Sequence, residues 1–478
     1  MSQIPPSLLF FTSQLSGLSR NNVAIQSQSA TELATDGTNM VRFALPSASI
    51  VDMASFVIRS KCSTQGVAAE TDAQGASQNN AVGALMPSGG LNSMIARTAF
   101  SCGGVSLSND VNYADVIKRC KANMQDSFSK CVSDKRVMEA YEIRGFDATR
   151  NPFTTDNGQE RVCVASNLLG FAECHPRYFD CSLVPQLFVN VTLAGRQAIP
   201  VQYQTTASTY ADVGETPGGF SNSKFTGSEC QFRAKEIKAS IDVISIGSGL
   251  YAEMLQSLMA ERGSLTCVFP SYNTFSATTT GAGEVRGALS VSNLHKLYTV
   301  ARISQDGVVG AKWNGAYYEG QDAWSKQQAP VRMRDNVGIG AVQAAHSFTA
   351  IGQKYWRYRV NNAPFPLWNV DSMDAYVAMA NGEDRLRKSQ PGCQVTSLSG
   401  WQGSQYVIPN RFSLDNQPTR LSGLNLAALS AAITLNTEAD TSDAAAVTAS
   451  EVKRQTIMIA ESYSRLQIGP GRAISLTH

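Results

Sequence analysis

Charge is what this chain of 478 residues has least of: Asp, Glu, Lys and Arg make up only 16% of it, against about a quarter of an average soluble protein. Forty basic residues face 38 acidic ones, a formal net charge of +2, so no field of one sign spans the chain to condense nucleic acid or steer an acidic substrate. A polybasic, histone-like role is excluded. Long apolar runs are missing too. A membrane-spanning helix needs about 20 largely apolar residues, whereas the run at 7–11 is brief and that at 424–435 is broken by Asn425 and Ser430. The opening MSQIPPSLLFF has no Lys or Arg ahead of its apolar stretch and no small-residue cleavage pattern behind it, which argues against a secretory signal and for a product of the cytosol or nucleus. Ten cysteines are spread without a regular framework, as expected of reduced, mostly buried thiols rather than a disulfide scaffold.

Constellations for catalysis are equally scarce. Only His175, His295, His346 and His478 exist, none in metal or triad spacing, and no HExxH occurs; His295, in Ser-Asn-Leu-His-Lys, reads as a surface or interface residue. The one soft-ligand cluster is Cys163, Cys174, His175 and Cys181. Zinc knuckles place two to four residues between cysteines, but six separate Cys174 from Cys181, and adjacent Cys and His rarely reach one metal, so buried free thiols are the better reading. Gly281-Ala282-Gly283 and Gly338-Ile339-Gly340 are neither of them a GxxxxGK[ST] loop and read as turns. Asp322, Asp371, Asp374, Glu383 and Asp384 read as a solvated face, since spacing alone fixes no carboxylate separation. Tyr355-Trp356-Arg357-Tyr358-Arg359, followed by Trp368 and Trp401, offers rings for stacking bases; a strand with Trp356 and Tyr358 on one face and Arg357 and Arg359 on the other suits a nearly neutral chain better. No catalytic residue, cofactor site or metal site is assigned.

What the chain does have is material for cores and a β texture. A hydrophobic content of 43% with mean hydropathy of −0.15 is ample for folding at this length. The first 38 residues or so are rich in Gln, Ser and Asn and show no lasting period, so they read as an N-terminal arm carrying Leu8, Leu9, Phe10, Phe11, Leu15 and Leu18. From Asn39 apolar and polar residues alternate: Val41, Phe43 and Leu45 against Met40, Arg42 and Ala44, then Phe56 and Ile58 against Val57 and Arg59. Further strands are predicted at 95–100, 105–107, 161–165, 187–193, 237–246, 265–269, 288–291, 297–303, 347–351, 356–360, 405–408, 424–435 and 455–459. Helices are predicted over 110–124, with Asn109 or Asp110 as N-cap, over 251–259 as a connector, and over 372–379, with 387 as the furthest end. Residues 63–93 and 304–345 read as long loops, as does the Thr- and Gly-rich stretch after Phe269. The inventory runs twice, from Asn39 and from Leu265, each time over a little more than 200 residues. It predicts an all-β chain of two consecutive antiparallel β-sandwiches with Greek-key crossings, divided 1–38, 39–250 and 251–478.

Four stretches carry a resemblance. They are Val41-Arg42-Phe43-Ala44-Leu45-Pro46 with Ile50-Val51-Asp52 and Phe56-Val57-Ile58; Ile95-Ala96-Arg97 through Gly103-Gly104-Val105 to Asn112-Tyr113; Tyr358-Arg359-Val360-Asn361-Asn362-Ala363-Pro364-Phe365-Pro366 with Ala375-Tyr376; and Tyr406-Val407-Ile408 leading to Leu421-Ser422-Gly423-Leu424-Asn425. In this order, over about residues 39–470, they resemble the double jelly-roll major capsid proteins of virophages and Polinton-like viruses. The resemblance implies two jelly-roll β-sandwiches per chain. It also implies a structural rather than enzymatic role: a homotrimer presenting six rolls as a pseudo-hexameric capsomer, which tiles an icosahedral shell around a double-stranded DNA genome. Expected partners are neighbouring capsomers, penton proteins and minor capsid proteins in a virion assembled in the host cytoplasm or nucleus. Sequence-specific nucleic-acid binding is not implied, and membrane contact is left open. Two other readings stand beside it: a single jelly-roll penton or minor capsid protein with an added domain, and a carbohydrate-binding β-sandwich.

Overall fold

Strands form here wherever every second side chain has a core to enter. Val41 and Phe43 are buried while Met40 is exposed, and Phe56 and Ile58 are buried while Arg59 is exposed, the period-two alternation of a half-buried strand. The computed structural model describes residues 18–35, 37, 39–65, 91–107, 111–125, 161–195, 231–246, 250–279, 282–303, 353–371, 374, 406–413, 422–427, 431–439, 441–442 and 454–477, with short strands at 70–71, 77–78, 82–84, 201–204 and 339–343.

Eight principal strands make the first half: β1 (Leu18–Gln26), β2 (Met40–Ala44), β3 (Ile50–Gln65), β4 (Ile95–Cys102), β5 (Val111–Asn112), β6 (Arg161–Ser166), β7 (Leu187–Leu193) and β8 (Gln231–Ile246). They divide into two antiparallel sheets, ordered β1-β8-β3-β6 and β5-β4-β7-β2. The second half has β9 (Leu265–Thr279), β10 (Gly283–Leu289), β11 (Leu294–Ile303), β12 (Gln353–Val360), β13 (Ala363–Val370), β14 (Ile408–Arg411), β15 (Ala431–Ala439) and β16 (Arg454–Ile468). Its sheets run β9-β16-β11-β14 and β13-β12-β15-β10. Adding eight to every strand number of the first half reproduces the second. Each half is therefore an eight-stranded jelly roll, and the all-β, two-sandwich reading of the sequence holds.

Several elements depart from the sequence reading. β1 lies within the stretch read as an arm. Its residues are exposed except Ile25, so no apolar period marks it; backbone pairing with β8 over Leu18↔Ile246 to Gln26↔Lys238 holds it. β9 runs on to Thr279 through a stretch read as loop, where β-branched Thr274, Thr278 and Thr279 suit the extended backbone. Helix α1 (Ala114–Gln125) starts later than 110, because Val111 and Asn112 pair with Thr98 and Arg97 of β4; the N-cap candidates Asn109 and Asp110 lie outside the described residues. The chain turns into α1 through Tyr113, whose φ is 56°, and Ala114, Val116, Ile117 and Cys120 bury the helix. The connector helix α2 (Leu250–Arg262) is present between the rolls. The predicted strand at 347–351 lies outside the described residues, as does the predicted helix after 372 apart from Asp374.

Tight turns carry the hairpins. Asn361 and Asn362, with φ of 47° and 69°, form the two-residue turn between β12 and β13, the left-handed pair that matches strand twist and that Asn tolerates. The two stretches read as long loops, 63–93 and 304–345, occupy the same place in each roll, between its third and fourth strands. A piece of each, 82–84 and 339–343, flanks strand 201–204 in one three-stranded sheet.

Candidate assembly surfaces

The rolls meet along a seam that roll 1 builds from β5, α1 and the turn Gly170–Glu173, and roll 2 from β9 and β16. Phe171 stands at its centre, fully buried, with its ring 5.9 Å from Phe100, 5.1 Å from Phe179 and 5.2 Å from Phe269 of roll 2. Beside it His175 N donates to Val268 O at 2.7 Å and Val268 N to His175 O at 2.9 Å, so the outer edge of β9 is closed by roll 1 backbone. A polar cluster borders this apolar core. Lys121 of α1 pairs with Glu173 at 2.6 Å, and Tyr272 of β9 donates to the other Glu173 oxygen at 2.7 Å. Tyr113 shares a hydrogen bond of 3.2 Å with Ser276 and accepts one of 3.4 Å from Gln455. Burial, and then the Glu173 and Glu461 charges, push the Tyr272 hydroxyl well up. Burial alone would raise the Glu461 carboxyl, but Lys121, Lys296 and His295 outweigh it and hold it down. The Lys121–Glu173 pair itself lies within roll 1, and Tyr272 ties it to roll 2, while the Lys121 charge also acts on Glu461 of β16, so the buried polar groups of the seam are partnered, as a permanent interface requires.

At the other end of roll 1 a second network pins β1. Asp52, with no exposed surface, takes two hydrogen bonds from Arg177, Nε at 2.6 Å and Nη2 at 2.7 Å, and one from Arg20 of β1 at 2.9 Å. Arg20 Nε also donates to Asp242 of β8 at 2.7 Å, and Asn22 Nδ2 to the other Asp242 oxygen at 2.6 Å. Hydrogen bonding by Asn22 outweighs desolvation, which acts in the other direction, and with the hydrogen bond and charge of Arg20 holds the Asp242 carboxyl below its ordinary value. A carboxyl depressed on folding stabilises the fold above its unfolded pKa, about 3.9, and that contribution disappears as pH falls through the depressed value. We therefore expect β1 to undock from β8 below about pH 4, seen as faster amide exchange at 18–26 while β16 stays protected; unchanged exchange at pH 3 counts against it.

The residues singled out in the sequence disperse. Cys163 hydrogen-bonds Cys62 across β6 and β3, raising the Cys62 thiol together with burial. Cys174 instead meets Cys267 of roll 2, and that hydrogen bond, then burial, raises it. Burial pushes Cys181 up to about 12. The seven described cysteines are free and buried, and thiols raised as those of Cys62, Cys174 and Cys181 are make poor nucleophiles and poor ligands. Among the described residues no group of three or more His, Cys, Asp or Glu side chains is placed to hold a metal. His295 is not at the surface as expected: it is 1% exposed, its ring 5.1 Å from Tyr463 and edge-on to it. Gly283 opens β10 rather than a phosphate cradle. Asp371 accepts from Asp374 N at 2.8 Å, an exposed local turn; Asp322, Glu383, Asp384 and Trp401 lie outside the described residues. Trp356 and Tyr358 are buried, and Tyr358 donates to Ile408 O at 2.9 Å, so the aromatic strip is core. Trp368, by contrast, is 61% exposed beside Leu367 at 78%. Sequence reasoning singled out Trp368 but missed its exposed neighbour Leu367, and it missed Phe171.

Two jelly rolls of one topology, docked side by side through a shared aromatic core and a hydrogen-bonded polar border, define a double jelly-roll protein. Solved structures similar to it over nearly its whole length include a quasi-atomic model of the PBCV-1 virus capsid (TM-score 0.56, 11% identity, 99% of both chains) and the Sputnik virophage (TM-score 0.53, 9% identity, 100% of this chain and 92% of that one). The Faustovirus major capsid protein is a third (TM-score 0.52, 9% identity, 98% and 93%). At these identities the likeness is one of fold. No protein-family profile matches the sequence, and no curated protein matches it. No helix among the described residues is long and apolar enough to cross a membrane.

Proposed function

We propose that this chain is a viral major capsid protein with a structural, non-enzymatic role. Three copies associate into a capsomer of six rolls, and capsomers tile an icosahedral shell around double-stranded DNA, with penton and minor capsid proteins as partners. The observation that carries this reading is the repetition of one strand order in two rolls packed through a seam, the geometry of a building block that continues its own pattern into the next copy. The similarity in fold to a virus capsid, a virophage and a major capsid protein supports it. A penton with one jelly roll is the weaker reading, since this chain has two. We divide the chain at α2, with the first roll starting at Leu18 instead of residue 39 and a shorter arm of residues 1–17.

The test is size-exclusion chromatography with light scattering on the full chain, followed by negative-stain imaging. Trimers with a six-lobed outline, or closed shells, are expected; a monodisperse monomer that never assembles overturns the reading. Deleting residues 1–17, a stretch whose sequence carries apolar residues but no lasting period, is expected to leave soluble trimers that no longer form shells. Normal shells from the truncated chain would remove the arm from assembly.

A further inference from the structure

Two of the buried thiols face each other from opposite sides of the seam. Cys174 closes the turn Gly170–Glu173 of roll 1, and Cys267 is the third residue of β9 in roll 2. Backbone pairing fixes their neighbourhood: His175 and Val268 exchange both of their hydrogen bonds, so the residues just before each of them lie on one face of that bridge as diagonal neighbours. The burial agrees, since Cys174 and Cys267 point into the seam while His175 is exposed and Val268 half-buried. The two thiols are in hydrogen-bond contact. Their cover is one residue thick. Cys174 is 5% and Cys267 2% exposed, yet residues 175–178 on one side and Thr266 on the other are open to solvent. The thiol contact between Cys62 and Cys163 differs on both counts, being 0% exposed and lying wholly within roll 1.

We propose that Cys174 and Cys267 form a redox-sensitive clasp between the rolls: two thiols while the chain folds in a reducing compartment, and one disulfide once a small peroxide reaches the seam. The chemistry closes in two steps. The Cys267 sulfur, losing its proton, attacks one oxygen of hydrogen peroxide; the O–O bond breaks, the released hydroxide takes up that proton as water, and Cys267 is left as a sulfenic acid. Cys174 Sγ then attacks the Cys267 sulfur, and the sulfenic hydroxyl leaves with the Cys174 proton as a second water. Two thiols are oxidised, one peroxide is reduced to two waters, and no other reactant is needed. Cys174 is the resolving member, because the hydrogen bond to Cys267 and burial hold its proton in place, and its S–H also donates to Pro176 O at 3.4 Å. A small neutral oxidant is the fitting reagent, since a bulky charged disulfide has no path to sulfurs this covered. The consequence follows from the position of the bond. Residues 174 and 267 are 93 positions apart, a span whose cross-linking removes much entropy from the unfolded chain, and the bond joins roll 1 to roll 2 next to Phe171. Under the capsid reading the chain is made inside a cell and then leaves it, which supplies both redox conditions; the clasp itself belongs to a single chain and requires no assembly.

The test treats the reduced full-length chain with hydrogen peroxide, blocks remaining thiols by alkylation, and maps its peptides without reduction. A peptide pair joining Cys174 to Cys267 is expected, with the loss of two hydrogens in mass. The thermal midpoint should rise by roughly 10 °C over that of Cys267→Ala treated identically, and dithiothreitol should reverse both changes. In Cys174→Ala, Cys267 is expected to stop at the sulfenic acid, which dimedone traps, and no cross-link forms. Should either replacement misfold, the wild-type map decides alone, with the midpoint compared before and after dithiothreitol. Cys174 and Cys267 found as free thiols, or oxidised separately, under conditions that fully oxidise the urea-unfolded chain would overturn the proposal. A 174–267 cross-link that leaves the midpoint unchanged would overturn the clasp as a coupling of the rolls. Because every readout is taken on isolated chains, failure here leaves the capsid reading intact, and a chain that never assembles leaves the clasp standing.

Discussion

Phe171→Ala is expected to destabilise the chain by about 3–5 kcal/mol and to uncouple its two halves. The ring is wholly buried and makes three edge-on or tilted contacts, two within roll 1 and one to Phe269 of roll 2. Its removal loses transfer free energy and leaves a cavity that the surrounding structure fills only in part, since the His175–Val268 backbone bridge beside it fixes how the two rolls meet. The loss falls on the only large ring that the described turn 170–173 sends into the seam, so cooperativity should suffer as well as stability. Calorimetry would read it: wild type is expected to unfold with strong coupling between the rolls, the variant with a broadened or split transition at lower temperature. Phe56→Ala, which removes a T-shaped contact with Phe43 that lies inside roll 1 alone, should cost a similar amount without splitting the transition. A single sharp transition for Phe171→Ala, shifted no further than by a surface mutation, would mean that the seam is held elsewhere.

Much of the fold was legible because it rests on local alternation. Val41 and Phe43, and Phe56 and Ile58, each declared a face, and each enters a core. β1 was illegible for the converse reason: a strand exposed on both faces in the isolated chain has no reason to alternate, and its cause lies over 200 residues away in β8. The docking surfaces share that difficulty. Phe171 sits in a turn between strands with no period to mark it, and its partner Phe269 belongs to the other roll. His295 misled because its neighbours Asn293 and Lys296 look like surface residues, yet both are buried beside it at the start of β11. The doubling of the fold was visible as a coarse inventory, whereas the identity of strand order between the halves depends on long-range pairing that no window of sequence contains.

Gly423 shows how such pairing constrains a residue that sequence treats as a loop filler, and its replacement by Ala is expected to cost about 3 kcal/mol or more. The segment 422–427 crosses the start of β11 at close range: Leu294 N donates to Leu424 O at 2.8 Å, Leu424 N to Leu294 O at 2.9 Å, and Gly423 N to Asn293 Oδ1 at 2.6 Å. A Cβ at 423 would stand 2.0 Å from that Asn293 oxygen and 2.4 Å from the Leu294 carbonyl oxygen. Asn293 can swing aside by giving up its hydrogen bond, but the Leu294 carbonyl is fixed by Leu424 N, so the methyl group can enter only if the backbone pair separates. Two buried backbone groups then lose their partners, and the connection between β14 and β15 comes off the roll. Gly471→Ala is the matched control. Its φ of 69° favours glycine, but nothing lies within 4 Å of its Cβ position, so only the left-handed backbone penalty of about 1 kcal/mol applies. Denaturant midpoints for the two variants should separate accordingly. Equal midpoints would show that the 422–427 crossing yields without cost and that the glycine is there for its flexibility alone.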